Sequence, residues 1–399
     1  MTEYDSILGR GRIMNAKNSE FSKWVSCWGT ATSITKRTEI TYSKDLTLRY
    51  PVKMCFSGSK LRFRFSNITG TEDVKVSKAF CAKNVGAEYK PIPITKGSSK
   101  SFIIPAGKEI ESDEIPFDVN AGDTIEVSMY FADFTQMNAG TALLTNLEQG
   151  YFAYGDYAES RDLPDDLSMA TNIFYFLNTI DIFTEEKNHA LICYGDSISC
   201  LSWPNFLAER AFKKESGNVS IIRRAVCGTR ILRQYDCITY QAYGLKGATR
   251  FPIETNVAGA SAIIIHHGIN DIIHPVGIEI NKFRPWSDMP SVQDLIDGVK
   301  KIYIEPARKM GLKVWSATLL PIYGWRTYNE NRESIRKEFN EWLRTSKDFD
   351  GCIDFDKAIR DSKNPESFAE GCDSGDHLHP SDKACKLMAN EVPDCLIEF

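Results

Sequence analysis

The chain has 399 residues, 42% of them hydrophobic and 25% charged, a globular composition that excludes collagen-like, coiled-coil and mostly disordered proteins and favours two domains over one. Forty-eight Lys and Arg against 53 Asp and Glu leave a net charge of −5 with no basic block, so a nucleic-acid partner is not expected. No apolar run approaches the roughly 20 residues that span a bilayer, so no membrane partner is expected either.

The opening MTEYDSILGRGRIMNAKNSEF mixes charges through the region where a secretory leader would carry its apolar core. The 11 cysteines are scattered and form no CxxC pair, which fits reduced thiols better than a disulfide framework. Cytoplasmic location is the expectation; a secreted chain trimmed of its leader would read the same.

Short alternating runs dominate up to about residue 185. Leu61, Phe63 and Phe65 interleave with Lys60, Arg62 and Arg64, and Ile125, Val127, Met129 and Phe131 interleave with polar residues, the period of half-buried antiparallel strands. SGSK, ITGTED, PAGKE and NAGD read as turns between them. Residues 1–184 are therefore expected to form an all-β sandwich of jelly-roll type.

From 185 to 399 the pattern becomes strand, loop, helix. The apolar runs at 189–194, 261–267, 312–320 and 352–355 lack clean alternation, as parallel strands covered on both faces do. Helical spacing marks 204–214, 291–310, 329–346 and 382–392. A doubly wound parallel sheet follows, and its ligand site should lie beyond the carboxyl ends of the strands.

Gly195, Asp196 and Ser197 follow the first of these strands. A serine there is placed to act as a nucleophile at a helix start, or simply to cap a turn. Cys227, Gly228 and Thr229 follow the second, and Gly268, Ile269, Asn270 and Asp271 the third. The N–H groups of Ser197 and Gly228, with the amide of Asn270, would supply three donors to one oxygen; turn glycines and a helix cap are the plainer reading of each. Near the end, GDHLHP sets Asp376 three residues before His379, a spacing that lets the carboxylate orient the imidazole as a base for an otherwise poor nucleophile.

These blocks, GDSIS at 195–199, CGTR at 227–230, GIND at 268–271 and DHLHP at 376–380, resemble those of SGNH/GDSL serine hydrolases. SATLLPIYG, FNEWLRTS, SGDHLHPSDKACKLMA and the earlier CWGTATS and LRFRFSN resemble the branch related to acetylxylan esterases that carries an N-terminal β-sandwich. The resemblance implies a flavodoxin-like hydrolase domain with Ser197 as nucleophile, His379 as base, Asp376 as its orienter, and Ser197, Gly228 and Asn270 as the oxyanion hole. In one respect the chain departs from the pattern: Arg223 and Arg224 stand where relatives carry Asn before the second block.

The implied reaction is hydrolysis of a small ester, O-acetyl on xylan-type or related oligosaccharides, through an acyl-enzyme and without metal or other cofactor. Phe283, Trp286, Tyr323, Trp325 and Tyr328 lie in loops after the third and fourth strands and are candidates to stack on sugar; Trp286, Tyr323 and Trp325 are the substrate-binding expectation. A zinc reading rests on His266, His267 and Asp271, or on Asp373, Asp376, His377 and His379. Successive strand residues face opposite sides, however, so His266 and His267 should not share one ion. His267 and His377 read as structural, and His189 and His274 suggest no chemistry. The rivals are a lipid or thioester acylhydrolase on the same scaffold and a non-catalytic carbohydrate-binding protein; a homo-oligomer is compatible with either.

Overall fold

Alternation builds the first half. In a computed structural model of the chain, residues 21–34, 41–83, 89–235 and 243–398 are described; the opening segment read for a leader lies outside them. The main strands up to residue 185 are β1 (Phe21–Gly29), β2 (Leu46–Lys53), β3 (Gly58–Ser66), β4 (Lys78–Lys83), β5 (Ile115–Val119), β6 (Thr124–Phe131), β7 (Gly150–Tyr154) and β8 (Leu177–Glu185). One antiparallel sheet runs β1-β8-β3-β5, and a second runs through β7-β2-β6-β4. Leu61, Phe63 and Phe65 of the first sheet and Ile125, Val127, Met129 and Phe131 of the second are fully buried in one apolar core, as their spacing predicts. SGSK departs from expectation: it opens β3 instead of turning, because Gly58 and Lys60 pair with Val119 and Pro116 of β5.

The second half is a parallel sheet of β9 (His189–Gly195), β10 (Val219–Ala225), β11 (Ala260–His266), β12 (Lys313–Ala317) and β13 (Gly351–Ile353). Its order, β10-β9-β11-β12-β13, is the flavodoxin-like doubly wound arrangement. Helices α1 (Trp203–Lys213), α2 (Gly247–Glu254), α3 (Ile269–Ile273), α4 (Val292–Val299), α5 (Glu330–Thr345) and α6 (Asp382–Glu391) accompany the strands. The helical stretch expected over 291–310 is present and carries a bulge. α4 gives way to a π turn at Lys300–Ile304 before helix resumes at Glu305–Lys309; Pro306 has no N–H to return to Ile302, and the wider turn absorbs the lost bond. No described helix is long and apolar enough to cross a membrane.

Register decides where the site falls. Gly195 pairs with Ala225 on one side and with His266 on the other, so β9, β10 and β11 end level and the segments after them emerge at one edge of the sheet.

The two halves are joined by buried hydrogen bonds. β1 packs against β10, Ser220 Oγ donates to Ser26 O at 2.6 Å, and Ser26 N donates to Ala258 O at 2.9 Å. Arg224, 1% exposed, donates to Thr30 O, to Asn178 O at 3.2 Å and to Thr179 Oγ1 at 2.7 Å in the β-rich half, and to Glu254 O at 2.9 Å in its own. Arg223 pairs with Glu148 at 3.2 Å and also reaches Asn205. The arginines that depart from the family pattern are thus structural clamps. Arg224→Met removes these bonds; Asn178 O and Thr30 O each keep one donor, Thr30 N at 2.9 Å and Asn178 Nδ2 at 3.0 Å, and a buried bond to a charged group is worth about 1.5–3 kcal/mol. The expected loss is roughly 2–4 kcal/mol, read as a lower denaturant midpoint; an unchanged midpoint would remove the clamp from the account.

Candidate active site

The chain leaves β9 through a backbone position that only glycine fits: a Cβ on Gly195 would stand 2.6 Å from the His266 carbonyl and strike the Ser199 side chain. Tight turns follow, with Ser199 N on Asp196 O at 3.0 Å and Cys200 N on Ser197 O at 3.1 Å. Ser197 lies within these turns, and regular helix begins only at Trp203, so the serine is presented by a turn and not by a helix start. Two contacts fix this turn from outside. Leu144 N donates to Cys200 O at 2.9 Å from the β-rich half, and Ser202 Oγ donates to Asp382 Oδ1 at 2.6 Å in the first turn of α6.

His379 arrives from the opposite end of the sequence. Pro380 follows it, and Ser381 caps α6 by accepting from Ala384 N, so the helix start fixes where the loop ends. Ser197 Oγ lies 2.8 Å from His379 Nε2, and His379 Nδ1 lies 2.6 Å from Asp376 Oδ2. The other Asp376 oxygen accepts from the backbone N–H of Leu378 at 3.0 Å and of His379 at 2.8 Å. Partial burial pushes the Asp376 carboxyl up, but the bonds from the His379 ring and the two N–H groups win and hold it well below the usual carboxylate range. Asp376 is therefore an anion that lies against the His379 ring.

Gly228, at φ +74°, occupies the left-handed turn after β10, where a side chain would run into the Tyr243 ring. Asn270 sits in the first turn of α3. Its amide donates to Thr229 O at 3.0 Å and to Asp196 Oδ2 at 3.2 Å, so an oxyanion would have to share or displace the longer contact. Burial, with Asp271 nearby, pushes the Asp196 carboxyl up to about 7 despite the N–H of Ile198 on its other oxygen.

Ser197, Gly228, Asn270 and His379 all line one cleft of about 380 Å³. Cys227 and Trp325, both marked by the sequence, line it too; much of the rest carries no sequence signal. Ser33, Thr141, Ala142 and Leu144 come from the β-rich half, and Tyr243, His274 and Arg326 from the other; neither Arg326 nor the small residues carry a signal in the sequence. Of the expected substrate-binding aromatics, Trp325 lines the cleft. Trp286 and Tyr323 do not. Trp286 rests against Gly277 and the Arg332 guanidinium, and Tyr323 stands edge-on to Tyr328, whose hydroxyl is held by Glu366 at 2.6 Å. Both rings are about half exposed, at 53% and 49%, and are occupied by neighbours on their own side of the loops.

The remaining histidines separate as strand geometry requires. His266 packs edge-on against Phe355, whereas His267 lies between Thr229 Oγ1 at 3.0 Å and Tyr303 OH at 2.7 Å. Burial lowers them to about 4 and about 3. His377 pairs with Asp373 at 2.6 Å. His274, given no role from sequence, reaches the cleft beside Tyr243 and bonds Tyr235 OH. Among the described residues no group of three His, Cys, Asp or Glu side chains is arranged to hold a metal ion.

The family model for GDSL-like lipase/acylhydrolase matches residues 191–392. The chain belongs to the GDSL-like lipase/acylhydrolase family. It is a carboxylic ester hydrolase whose family region carries every residue of the Ser197 and His379 contacts. Comparison with curated proteins gives no match. Among solved structures, the chain is similar to a family two carbohydrate esterase from Clostridium thermocellum in complex with cellohexaose, at 12% identity over 91% of this chain and 97% of that one, with a TM-score of 0.35. Axe2, an acetylxylan esterase from Geobacillus stearothermophilus, matches at 12% identity over 54% and 97%, with a TM-score of 0.36. The acetyl xylan esterase AlAXEase matches at 19% identity over 51% and 96%, with a TM-score of 0.35.

The buried Asp196 gives this GDSL hydrolase a pH signature. A carboxyl whose folded pKa is raised from 3.8 to about 7 binds more protons folded than unfolded, so its contribution to stability falls as pH rises through that interval. Asp196→Asn removes this dependence. Between pH 4 and pH 8 the stability of the native protein relative to the variant should fall by roughly 2–4 kcal/mol, measured by denaturant titration; a constant difference would show that Asp196 is not held neutral.

Proposed function

We propose that this GDSL hydrolase removes small acyl groups, O-acetyl foremost, from carbohydrate such as xylan-type oligosaccharides, with Ser197 as nucleophile, His379 as general base and Asp376 as the orienting anion. The observation that carries the reading is the unbroken relay from Asp376 Oδ2 to His379 Nδ1 at 2.6 Å and from His379 Nε2 to Ser197 Oγ at 2.8 Å. His379 takes the Ser197 proton as Oγ attacks the ester carbonyl, then returns it to the departing sugar hydroxyl, and water repeats the cycle on the acyl-enzyme.

The carbonyl oxygen gathers negative charge beside the N–H groups of Ser197 and Gly228 and the amide of Asn270, donors whose individual loss costs about 3 kcal/mol in comparable sites. Small acyl groups are favoured by the small side chains of Ser33, Thr141 and Ala142 in the cleft lining, and sugar by the presence of Trp325 in the same lining. The free cysteines among the described residues, most of them buried, fit a cytoplasmic enzyme that meets imported oligosaccharides.

Ser197→Ala should lower kcat for acetate release from acetylated xylo-oligosaccharide by at least about 10³-fold, and Asp376→Asn by roughly 10²–10⁴-fold, with melting temperature of the alanine variant unchanged. Retained turnover in Ser197→Ala would exclude the mechanism. In the native enzyme, 4-nitrophenyl acetate should be cleaved at least about tenfold more efficiently than the octanoate ester; the reverse order would favour a lipid acylhydrolase.

A further inference from the structure

Among the described residues lining the cleft, Arg326 alone bears a fixed charge, and no Asp or Glu is among them. Its guanidinium lies over the Trp325 ring at 4.5 Å and makes no ion pair with any described carboxylate, although most of the other arginines here are paired or buried. The turn that presents it is firmly held. Trp325 N donates to Ile322 O at 3.0 Å, Tyr328 N to Trp325 O at 2.7 Å, and Thr327 Oγ1 to Ile273 O at 2.9 Å. Beneath it, the indole N–H of Trp325 is buried with no acceptor among the described residues. A cation and an unmatched donor therefore sit side by side in the cleft that Ser197 and His379 also line.

We infer that the sugar from which the acyl group is removed is acidic, carrying a carboxylate that Arg326 recognises. The assignment rests on the esterase reading above and narrows it. A planar guanidinium matches a carboxylate with two parallel hydrogen bonds, and its stack on Trp325 limits the orientations it must give up on binding. A neutral sugar offers hydroxyl acceptors but no opposite charge, so its bonds to this group are the weaker ones. Arg326 is thus a specificity-determining residue for the bound alcohol.

The test uses the full chain and a matched pair of substrates, an O-acetylated methyl glycoside of a uronic acid and its neutral counterpart with CH₂OH in place of the carboxylate. At low salt the native enzyme should favour the acidic ester about fivefold in kcat/KM, the size expected for one exposed charge pair. In 1 M NaCl, where screening acts within about 3 Å, that preference should shrink towards unity. Arg326→Gln should show no preference at either salt concentration, and Arg326→Lys should restore only part of it, since an ammonium keeps the charge but not the fork.

Equal native kcat/KM for the two sugars, or an acidic preference that survives Arg326→Gln, would overturn the inference while leaving the esterase reading in place. A stronger preference for a sulfated sugar than for the uronic acid would overturn the carboxylate assignment. Failure of the native enzyme on both sugars and on 4-nitrophenyl acetate would instead overturn the esterase reading, and this inference with it.

Discussion

Buried Arg224 is the constraint on which the rest depends. One guanidinium satisfies acceptors at Thr30, Asn178 and Thr179 on one side and at Glu254 on the other, so the antiparallel sheets cannot shift across the parallel sheet without exposing a buried charge to apolar surroundings. Because the halves are registered in this way, the segments carrying Ser33 and Thr141 to Leu144 come to lie over the turn that bears Ser197. The β-rich half thereby becomes a wall of the cleft that Ser197 and His379 line.

Two carboxyl groups near that cleft are driven in opposite directions by their surroundings, and the difference separates their tasks. Asp376 is partly exposed and held by the His379 ring and the backbone N–H groups of Leu378 and His379, so it stays an anion. Asp196 is wholly buried with few donors, so its carboxyl is pushed up to about 7. It lies against the Asn270 amide, where a full negative charge would hold that donor more tightly. Environment, not residue type, assigns the roles.

The sequence was most legible where chemistry and spacing coincide. The order of parallel strands, the alternation of Leu61, Phe63 and Phe65, and the meeting of Ser197, Asp376 and His379 each follow from local patterns read at strand ends. What escaped has a common physical origin. Arg223 and Arg224 looked like a departure from a catalytic block because their partners, Glu148, Thr30 and Asn178, lie in the other half of the chain. Trp286 and Tyr323 looked like a sugar platform because an aromatic in a loop gives no sign of which neighbour it rests on. The wall residues Ser33, Thr141 and Ala142 have no chemistry to mark them; their importance is purely one of place. The π turn before Pro306 was likewise hidden inside a helical period that the proline does not disturb.

The central claim is that Ser197 is an activated nucleophile made so by His379. Treatment of the native protein with an alkyl fluorophosphonate, followed by mass spectrometry of the digested chain, tests it directly. A single adduct on the peptide containing Ser197, lost in His379→Ala although the serine is still present, is the result predicted. An adduct elsewhere, or labelling of Ser197 at an undiminished rate without His379, would contradict the account.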